Sequence, residues 1–196
     1  MRIPLSLLSV LVASVASVAA GCGRNEPPPH SAATVASSTA RVTEPFRQEH
    51  VELKEHLGHV HAWNGALAKQ PPAEQAQTMK RIVGFFEQHL APHAKWEEQH
   101  LYESVDKRAS SGPNAFTASM RFEHRVVERW IAELRKESEA EAPDATAFAR
   151  RTDYLLGLVT AHFEAEEEVL LPVLDRTMTA EEFERELGRH EGGGHH

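Results

Sequence analysis

Apolar residues recur every three or four positions through most of the chain after residue 45, and no segment shows the alternating pattern of a half-buried strand. Prolines and a Ser-Ser-Gly-Pro-Asn cluster at 110–114 divide this pattern into segments. We predict four long helices over about 45–69, 73–107, 115–139 and 144–175, and a short fifth helix that begins at Thr179. The chain is therefore expected to be all-α, with a kink in the second helix at Pro92.

The two halves of this helical region repeat one pattern. In the first and third helices a histidine, His50 or His124, is followed by apolar residues at offsets of 3, 7 and 10. In the second and fourth helices His93 and His162 are each followed by a glutamate four residues later and then by apolar residues at matching offsets. Two hairpins with the same pattern would pack as an up-down-up-down antiparallel four-helix bundle over residues 43–178, about a pseudo-two-fold axis.

Each histidine–glutamate pair places a nitrogen and an oxygen ligand on one helix face, because positions i and i+4 lie one turn apart. A single pair of this kind is more often a solvated helix face than a metal site. Two pairs in matched contexts, with His50 and His124 at the same depth of their hairpins, favour a metal site. The candidate ligands are His50, His93, Glu97, His124, His162 and Glu166.

Imidazole and carboxylate ligands suit iron, manganese or zinc better than copper(I), which favours sulfur. Two glutamates that face each other across a pseudo-two-fold axis are placed to bridge two ions. With such bridging, the four histidines and two glutamates would fill about eight of the roughly twelve positions of two six-coordinate ions. Open positions suit the binding of a small molecule or redox chemistry, rather than a purely structural site.

Three further glutamates lie near the candidate ligands. Glu98 and Glu167 each come directly after a candidate glutamate ligand. Either carboxylate could hold the second ring N–H of a ligating imidazole or simply face solvent. Glu128 lies four residues after His124 and is a weaker candidate for a further ligand.

The order of these residues resembles the hemerythrin-like (HHE cation-binding) domain over about residues 46–176. The resemblance implies an up-down-up-down bundle around a non-haem di-iron centre, in which each candidate stands for the ligand of its helix. The implied cofactor is two iron ions, with manganese or zinc as alternatives. Members of that family bind O₂ reversibly, sense O₂ or iron, or handle iron and reactive species. We therefore expect a partner such as O₂ or another small diatomic or peroxide ligand.

The sequence differs from the oxygen carriers of that family. They place two histidines four residues apart on the third helix, where this chain has Glu128 as the second residue. They also use an aspartate five residues after the fourth-helix histidine, where this chain has Glu167, with Glu166 at four. More anionic ligands favour ferric iron, so we expect faster oxidation. A di-iron redox enzyme (an oxidase, or a protein that consumes peroxide or nitric oxide), an iron scavenger and a structural bundle stay open as alternatives.

The chain begins with a basic residue and an apolar run rich in small residues, which is typical of a secretory signal. We predict a lipoprotein-type signal peptide over residues 1–21, because Ala19-Ala20-Gly21-Cys22 resembles a bacterial lipobox and Cys22 is the only cysteine. Ordinary cleavage after Ala20 is the alternative. Lipidation of Cys22 would anchor an exported protein in the inner or outer membrane of the cell envelope, facing the periplasm.

Composition adds two predictions about the ends of the chain and one about its partners. Residues 22–42 are rich in Pro, Ser, Ala and Thr and lack apolar periodicity, which predicts a disordered tether. Residues 179–196 are expected to contain the short helix and a disordered tail. The chain has 21 Lys and Arg against 29 Asp and Glu, a net charge of −8 with neutral histidines. No basic stripe is visible, which argues against binding to nucleic acid.

Overall fold

Five helices make up most of the part of the chain that the computed structural model describes, residues 41–109 and 116–188. They are α1 (Glu44–Leu67), α2 (72–109), α3 (Ala118–Ser138), α4 (145–177) and α5 (Ala180–Leu187). These two ranges contain no strand, which confirms the predicted all-α fold. The predicted ends of the four long helices lie within three residues of the observed ends.

Several predictions concern residues outside the described ranges. These are the signal peptide over 1–21, the lipidation of Cys22, most of the tether and the tail from residue 189, and they stay predictions. Val42, at the end of the predicted tether, is described and packs partly against the core. Among the described helices none is long and apolar enough to span a membrane.

Two of the helices widen from α to π geometry within their length. α2 consists of Pro72–Phe85, the π segment Phe86–Leu90, Ala91–Trp96, the π segment Glu97–Leu101 and Tyr102–Ala109. α4 consists of Ala145–Ala165, the π segment Glu166–Leu170 and Leu171–Thr177. A π segment therefore begins at each of the two matched glutamates of the repeat.

Proline accounts for one π segment of α2 and does not account for the other. Pro92 has no N–H to return to the preceding turn, and just before it the Ala91 N–H bonds the Phe86 carbonyl, five residues back. The helix thus contains a π turn at the place where we predicted a kink. The segment that begins at Glu97 has no proline in the turn after it. Single π turns are rare and occur frequently at functional sites.

The four long helices form a bundle in which α1 and α3 each pack against both α2 and α4. Their buried apolar residues form two clusters. The first includes Leu57, Leu67, Ile82, Leu134 and Phe148, and the second includes Leu101, Tyr102, Leu170, Leu171 and Leu174. On α1 the buried His50 lies between Phe46 of the second cluster and Leu53 of the first. The other three helices show the same arrangement, so a polar layer separates the two clusters.

The end of α2 holds the beginning of α3. The N–H and the hydroxyl of Thr117 both donate to the buried Asp106 carboxylate, at 3.1 and 2.7 Å. Arg121, one turn later, lies 3.7 Å from the same carboxylate and donates to the Glu98 carbonyl at 3.0 Å. Thr117 is the N-cap residue of α3, so Asp106 accepts the N-cap N–H that the N3 side chain accepts in a capping box.

The same arrangement of an aspartate, a threonine and an arginine, here called a brace, joins the end of α4 to the beginning of α1. The N–H and the hydroxyl of Thr43 donate to Asp175 at 3.1 and 2.9 Å. Arg47 donates to Asp175 at 3.4 Å and to the Glu167 carbonyl at 3.0 Å. Each brace thus ties the start of one helix to a π segment that begins at a candidate ligand.

The short helix α5 covers the second cluster. The Thr179 hydroxyl accepts from the Glu182 N–H at 3.2 Å, and the Glu182 carboxylate accepts from the Thr179 N–H at 2.9 Å, which is the capping box expected from the sequence. Phe183 packs edge-on against Phe46, with ring centroids 5.6 Å apart. The fifth helix is therefore part of the core rather than an appendage.

The brace at the start of α3 predicts a specific loss of stability. Asp106→Ala should lower the free energy of unfolding by about 1–3 kcal/mol, because a buried N–H and a buried hydroxyl lose their acceptor. Urea unfolding in the presence of a chelator, followed by circular dichroism, measures this change. Glu103→Ala, at an exposed position one turn earlier, is the control and should change stability by less than about 0.5 kcal/mol. Equal losses in the two variants would contradict the brace.

Candidate metal centre

Six buried side chains from four helices meet in the polar layer between the two apolar clusters. They are His50 of α1, His93 and Glu97 of α2, His124 of α3, and His162 and Glu166 of α4, each at most 5% exposed. Their ligand atoms form two groups that each fall within 4.8 Å: a first group of His50, His93 and Glu97, and a second group of Glu97, His124, His162 and Glu166. The structure therefore brings together the six residues singled out from the sequence.

Glu97 faces both groups with different oxygens. Its Oε1 lies 2.9 Å from His93 Nε2 and 3.5 Å from His50 Nε2. Its Oε2 lies 3.4 Å from His124 Nε2. Glu97 thus lies against histidines of α1, α2 and α3, so one side chain can serve both groups of ligand atoms.

Glu166 occupies the matched position on α4. Its Oε1 lies 3.6 Å from His162 Nε2, and its Oε2 lies 3.5 Å from His50 Nε2. The buried Tyr102 hydroxyl donates to the same Oε1 at 2.6 Å. The second carboxylate thus also reaches histidines of both groups, as the pseudo-two-fold repeat requires.

A carboxylate lies against the outward nitrogen of each of the four imidazoles. The Nδ1-to-oxygen distances are 3.1 Å for His50 and Glu167, 2.9 Å for His93 and Glu49, 3.1 Å for His124 and Glu98, and 2.8 Å for His162 and Glu123. An ionised carboxylate only accepts hydrogen bonds, so each Nδ1 carries the hydrogen. When such an imidazole is neutral, its Nε2 therefore presents a lone pair to the centre of the bundle.

These inward-facing atoms have more lone pairs than protons. Four of these atoms are buried and have no well-aligned hydrogen-bond partner within the described residues: His50 Nε2, both oxygens of Glu97 and Oε2 of Glu166. His124 Nε2 and His162 Nε2 lie 2.9 Å apart, which would set two lone pairs against each other when both imidazoles are neutral and carry the hydrogen on Nδ1. Buried polar atoms without partners are costly. A cation in each group would satisfy them together, so the residues fit a pair of metal ions.

The spacing of the ligand atoms agrees with this fit. Ligand atoms bound to one ion at about 2.1 Å lie about 3 Å apart when their bonds are at right angles. The short contacts between these atoms run from 2.9 Å between the two nitrogens of His124 and His162 to 3.6 Å between His162 and Glu166, and all ligand atoms of one group lie within 4.8 Å of one another.

Burial and neighbouring charges shift the pKa values of the two shared glutamates in opposite directions. Burial and the neighbouring Glu97 raise the pKa of Glu166 well above its usual range. Burial also opposes ionisation of Glu97, but the surrounding histidines, above all His93, outweigh it and lower the pKa of Glu97. Burial would lower the pKa of His93, but Glu97 and Glu49 outweigh it and raise that pKa. Metal ions that bind here must displace these protons, so their affinity depends on pH.

The three weaker candidates lie in different places. Glu98 and Glu167 contact the outward nitrogens of His124 and His50. Glu128 is exposed and belongs to neither group of ligand atoms. The reason is helical geometry, because Val127, three residues after His124, takes the buried position on this face of α3.

Three residues of the centre were not predicted from the sequence: Glu49, Glu123 and Tyr102. The two glutamates come directly before His50 and His124, so the Glu-His pair repeated in both halves was a signal that could have found them. Each of these glutamates bonds the histidine of the next helix rather than its own neighbour in the chain. Tyr102 lies on the apolar stripe of α2, where an aromatic residue is ordinarily core packing.

Comparison with known proteins gives a match to a family model. A family model described as Hemerythrin HHE cation binding domain matches residues 41–191, a range that includes all five helices and all six clustered residues. Searches of curated proteins and of solved structures gave no match. The chain therefore belongs to the hemerythrin HHE cation-binding domain family.

Proposed function

We propose that the chain holds two iron ions between its four long helices and uses them to bind O₂ or a related small molecule. The observation that supports this most strongly is the pair of ligand groups linked by two buried carboxylates that face histidines of both. His50 and His93 would hold one ion, and His124 and His162 would hold the other. Iron held in this way supplies one-electron redox chemistry and affinity for diatomic molecules.

The chemistry of the ligands favours iron over the alternatives. Two imidazoles with one carboxylate are typical of non-haem Fe(II) sites with open positions. Zinc and manganese accept the same ligands, but structural zinc sites are usually closed and four-coordinate. Within the described residues the two groups contain no sulfur ligand, which disfavours copper(I).

The surroundings of the centre restrict what can reach it. The six ligands are nearly inaccessible to solvent, and apolar clusters lie on both sides of them. Phe163 stacks on the His50 ring with centroids 4.5 Å apart and also packs edge-on against His93. Such a closed, apolar wall favours a diatomic molecule or peroxide over any larger substrate.

The four carboxylates that contact the Nδ1 atoms of the histidines, here called the outer carboxylates, would hold the imidazoles in the orientation that metal binding needs. A carboxylate on Nδ1 selects the tautomer with a free Nε2, orients the ring and makes the nitrogen more basic. Each of these contacts joins two neighbouring helices, as Glu123 of α3 does with His162 of α4. The ligand geometry therefore depends on the packing of the bundle as a whole.

A di-iron redox enzyme that consumes peroxide or nitric oxide is the second candidate, and the negative charge of the centre favours it. Two glutamates face the ions, and four more stand directly behind the imidazoles. Negative charge at this distance stabilises ferric over ferrous iron. Such a centre would oxidise readily, which fits turnover better than repeated release of unchanged O₂. An iron-scavenging protein would use the same ligands.

Metal analysis tests the di-iron proposal directly. Protein purified from cells grown with iron should contain two iron atoms per chain and show near-ultraviolet charge-transfer absorption. Glu97→Ala and Glu166→Ala should each lose at least half of the iron, because each removes a ligand shared by both ions. Glu168→Ala, at an exposed position on α4, is the matched control and should keep its iron. Protein that contains only zinc, or no metal, would rule out the di-iron proposal.

The outer carboxylates make a separate prediction. Glu123→Ala should weaken iron binding by about 10–100-fold, because His162 loses the acceptor that fixes its ring and tautomer. Competition with a ferrous chelator of known affinity measures the effect. Glu128→Ala, at an exposed position on the same helix, should bind iron like the unmodified protein. Equal affinity in all three proteins would contradict this role of Glu123.

Rapid mixing of the reduced protein with O₂, peroxide and nitric oxide separates the two candidate functions. A binding protein should give a stable spectrum with O₂ that reverts when O₂ is removed under vacuum. A redox enzyme should instead consume a large excess of peroxide or nitric oxide and return to its starting spectrum. If the iron-loaded protein responds to none of the three, both functions are wrong and iron scavenging becomes the better proposal.

A further inference from the structure

The two halves of the centre differ at one position of the repeat. Five residues after Glu97, α2 has Tyr102, and five residues after Glu166, α4 has Leu171. Both side chains are fully buried in the second apolar cluster. One half of a nearly symmetric centre therefore has a phenol hydroxyl at a place where the other half offers only a hydrocarbon.

The Tyr102 hydroxyl lies among the ligand atoms of the second group. It is 2.6 Å from Glu166 Oε1, 3.1 Å from His124 Nε2 and 3.3 Å from His162 Nε2. These distances match the spacing of about 3 Å expected between atoms bound to one ion. The phenol oxygen thus stands where a further ligand of the same ion would stand.

A simple hydrogen bond to Glu166 does not account for all three contacts. The hydroxyl has one proton to donate, and Glu166 Oε1 accepts it, while the Nε2 atoms of His124 and His162 are also acceptors when each Nδ1 bonds its outer carboxylate. Core packing alone does not account for them either, because a phenylalanine would fill the same volume without bringing an oxygen to within 2.6 Å of Glu166. A cation would satisfy the phenol oxygen and the three acceptors together.

We propose that Tyr102 is a ligand, through its phenolate oxygen, of the ion held by His124 and His162. The proposal rests on the metal centre of the proposed function and adds a residue to it. When the ion binds, the phenol O–H bond breaks, a metal–oxygen bond forms and the proton leaves to solvent, with no change in oxidation state. A bound cation is the largest local charge and favours this loss of the proton.

The two ions are then inequivalent. An ion beside Tyr102 would have ligands from five residues, which are Glu97, Tyr102, His124, His162 and Glu166. The other ion is approached by His50, His93 and the two shared carboxylates, without a matching oxygen from Leu171. The open positions for a small molecule are thus concentrated on the ion next to His50 and His93.

The test uses the full chain loaded with ferric iron. Phenolate bound to Fe(III) gives a visible charge-transfer band, and excitation in that band enhances the ring vibrations of the bound tyrosine in the Raman spectrum. The unmodified protein should show both signals, and Tyr102→Phe should lose both. Tyr154→Phe removes the only other tyrosine of the chain, which is exposed on α4, and should keep both.

Iron content, measured on the same samples, separates the possible failures. Unmodified protein that binds iron but shows no phenolate signals would overturn the role of Tyr102 and leave the di-iron proposal intact. Unmodified protein that binds no iron would overturn both. If Tyr102→Phe fails to fold or to take up iron, phenolate signals in the unmodified protein that survive in Tyr154→Phe still support the assignment, because no third tyrosine exists.

Discussion

The structure depends on burying a layer of imidazole and carboxylate atoms in the middle of a helical bundle. Glu97 and Glu166 are both fully buried, and an uncompensated carboxylate in such a place costs several kcal/mol. The histidines around them, and the outer carboxylates behind those histidines, set the inward-facing atoms at a spacing that cations satisfy. The residues that would hold the metal are therefore also residues whose burial is costly without a partner.

The π segments connect this layer to the ends of the helices. A π turn shifts the backbone hydrogen bonds by one residue, and the carbonyls of Glu98 and Glu167 in these turns accept from Arg121 and Arg47. The same arginines approach the aspartates that hold the first residues of α3 and α1. The position of each shared carboxylate and the anchoring of a helix start thus belong to one network, which occurs twice in the chain.

Much of this arrangement could be predicted because the chain repeats itself. Helical periodicity and the prolines predicted the ends of the long helices to within three residues of the observed ends. Equal sequence spacings in the two halves singled out the six residues that the structure brings together. The π segments could not be predicted, because a single π turn buries nearly the same residues of a helix face as an α turn does. Glu49 and Glu123 were missed because each bonds a histidine on another helix, a relation that offsets within one helix do not show.

The repeat places Tyr102 in only one half of the centre, and this difference between the two halves bears on whether the site is structural or reactive. A metal site that only stabilises a fold closes its coordination with protein ligands and gains nothing from treating two ions differently. Here the Tyr102 hydroxyl lies 2.6 Å from Glu166 in the group that contains His124 and His162, while the group of His50 and His93 lies beside Phe163 and has fewer members. An anionic phenolate on an ion in the first group would favour its ferric form and leave the exchange of small molecules to an ion in the other group. That division of roles would leave one ion able to bind a diatomic molecule or peroxide, which both proposed functions require.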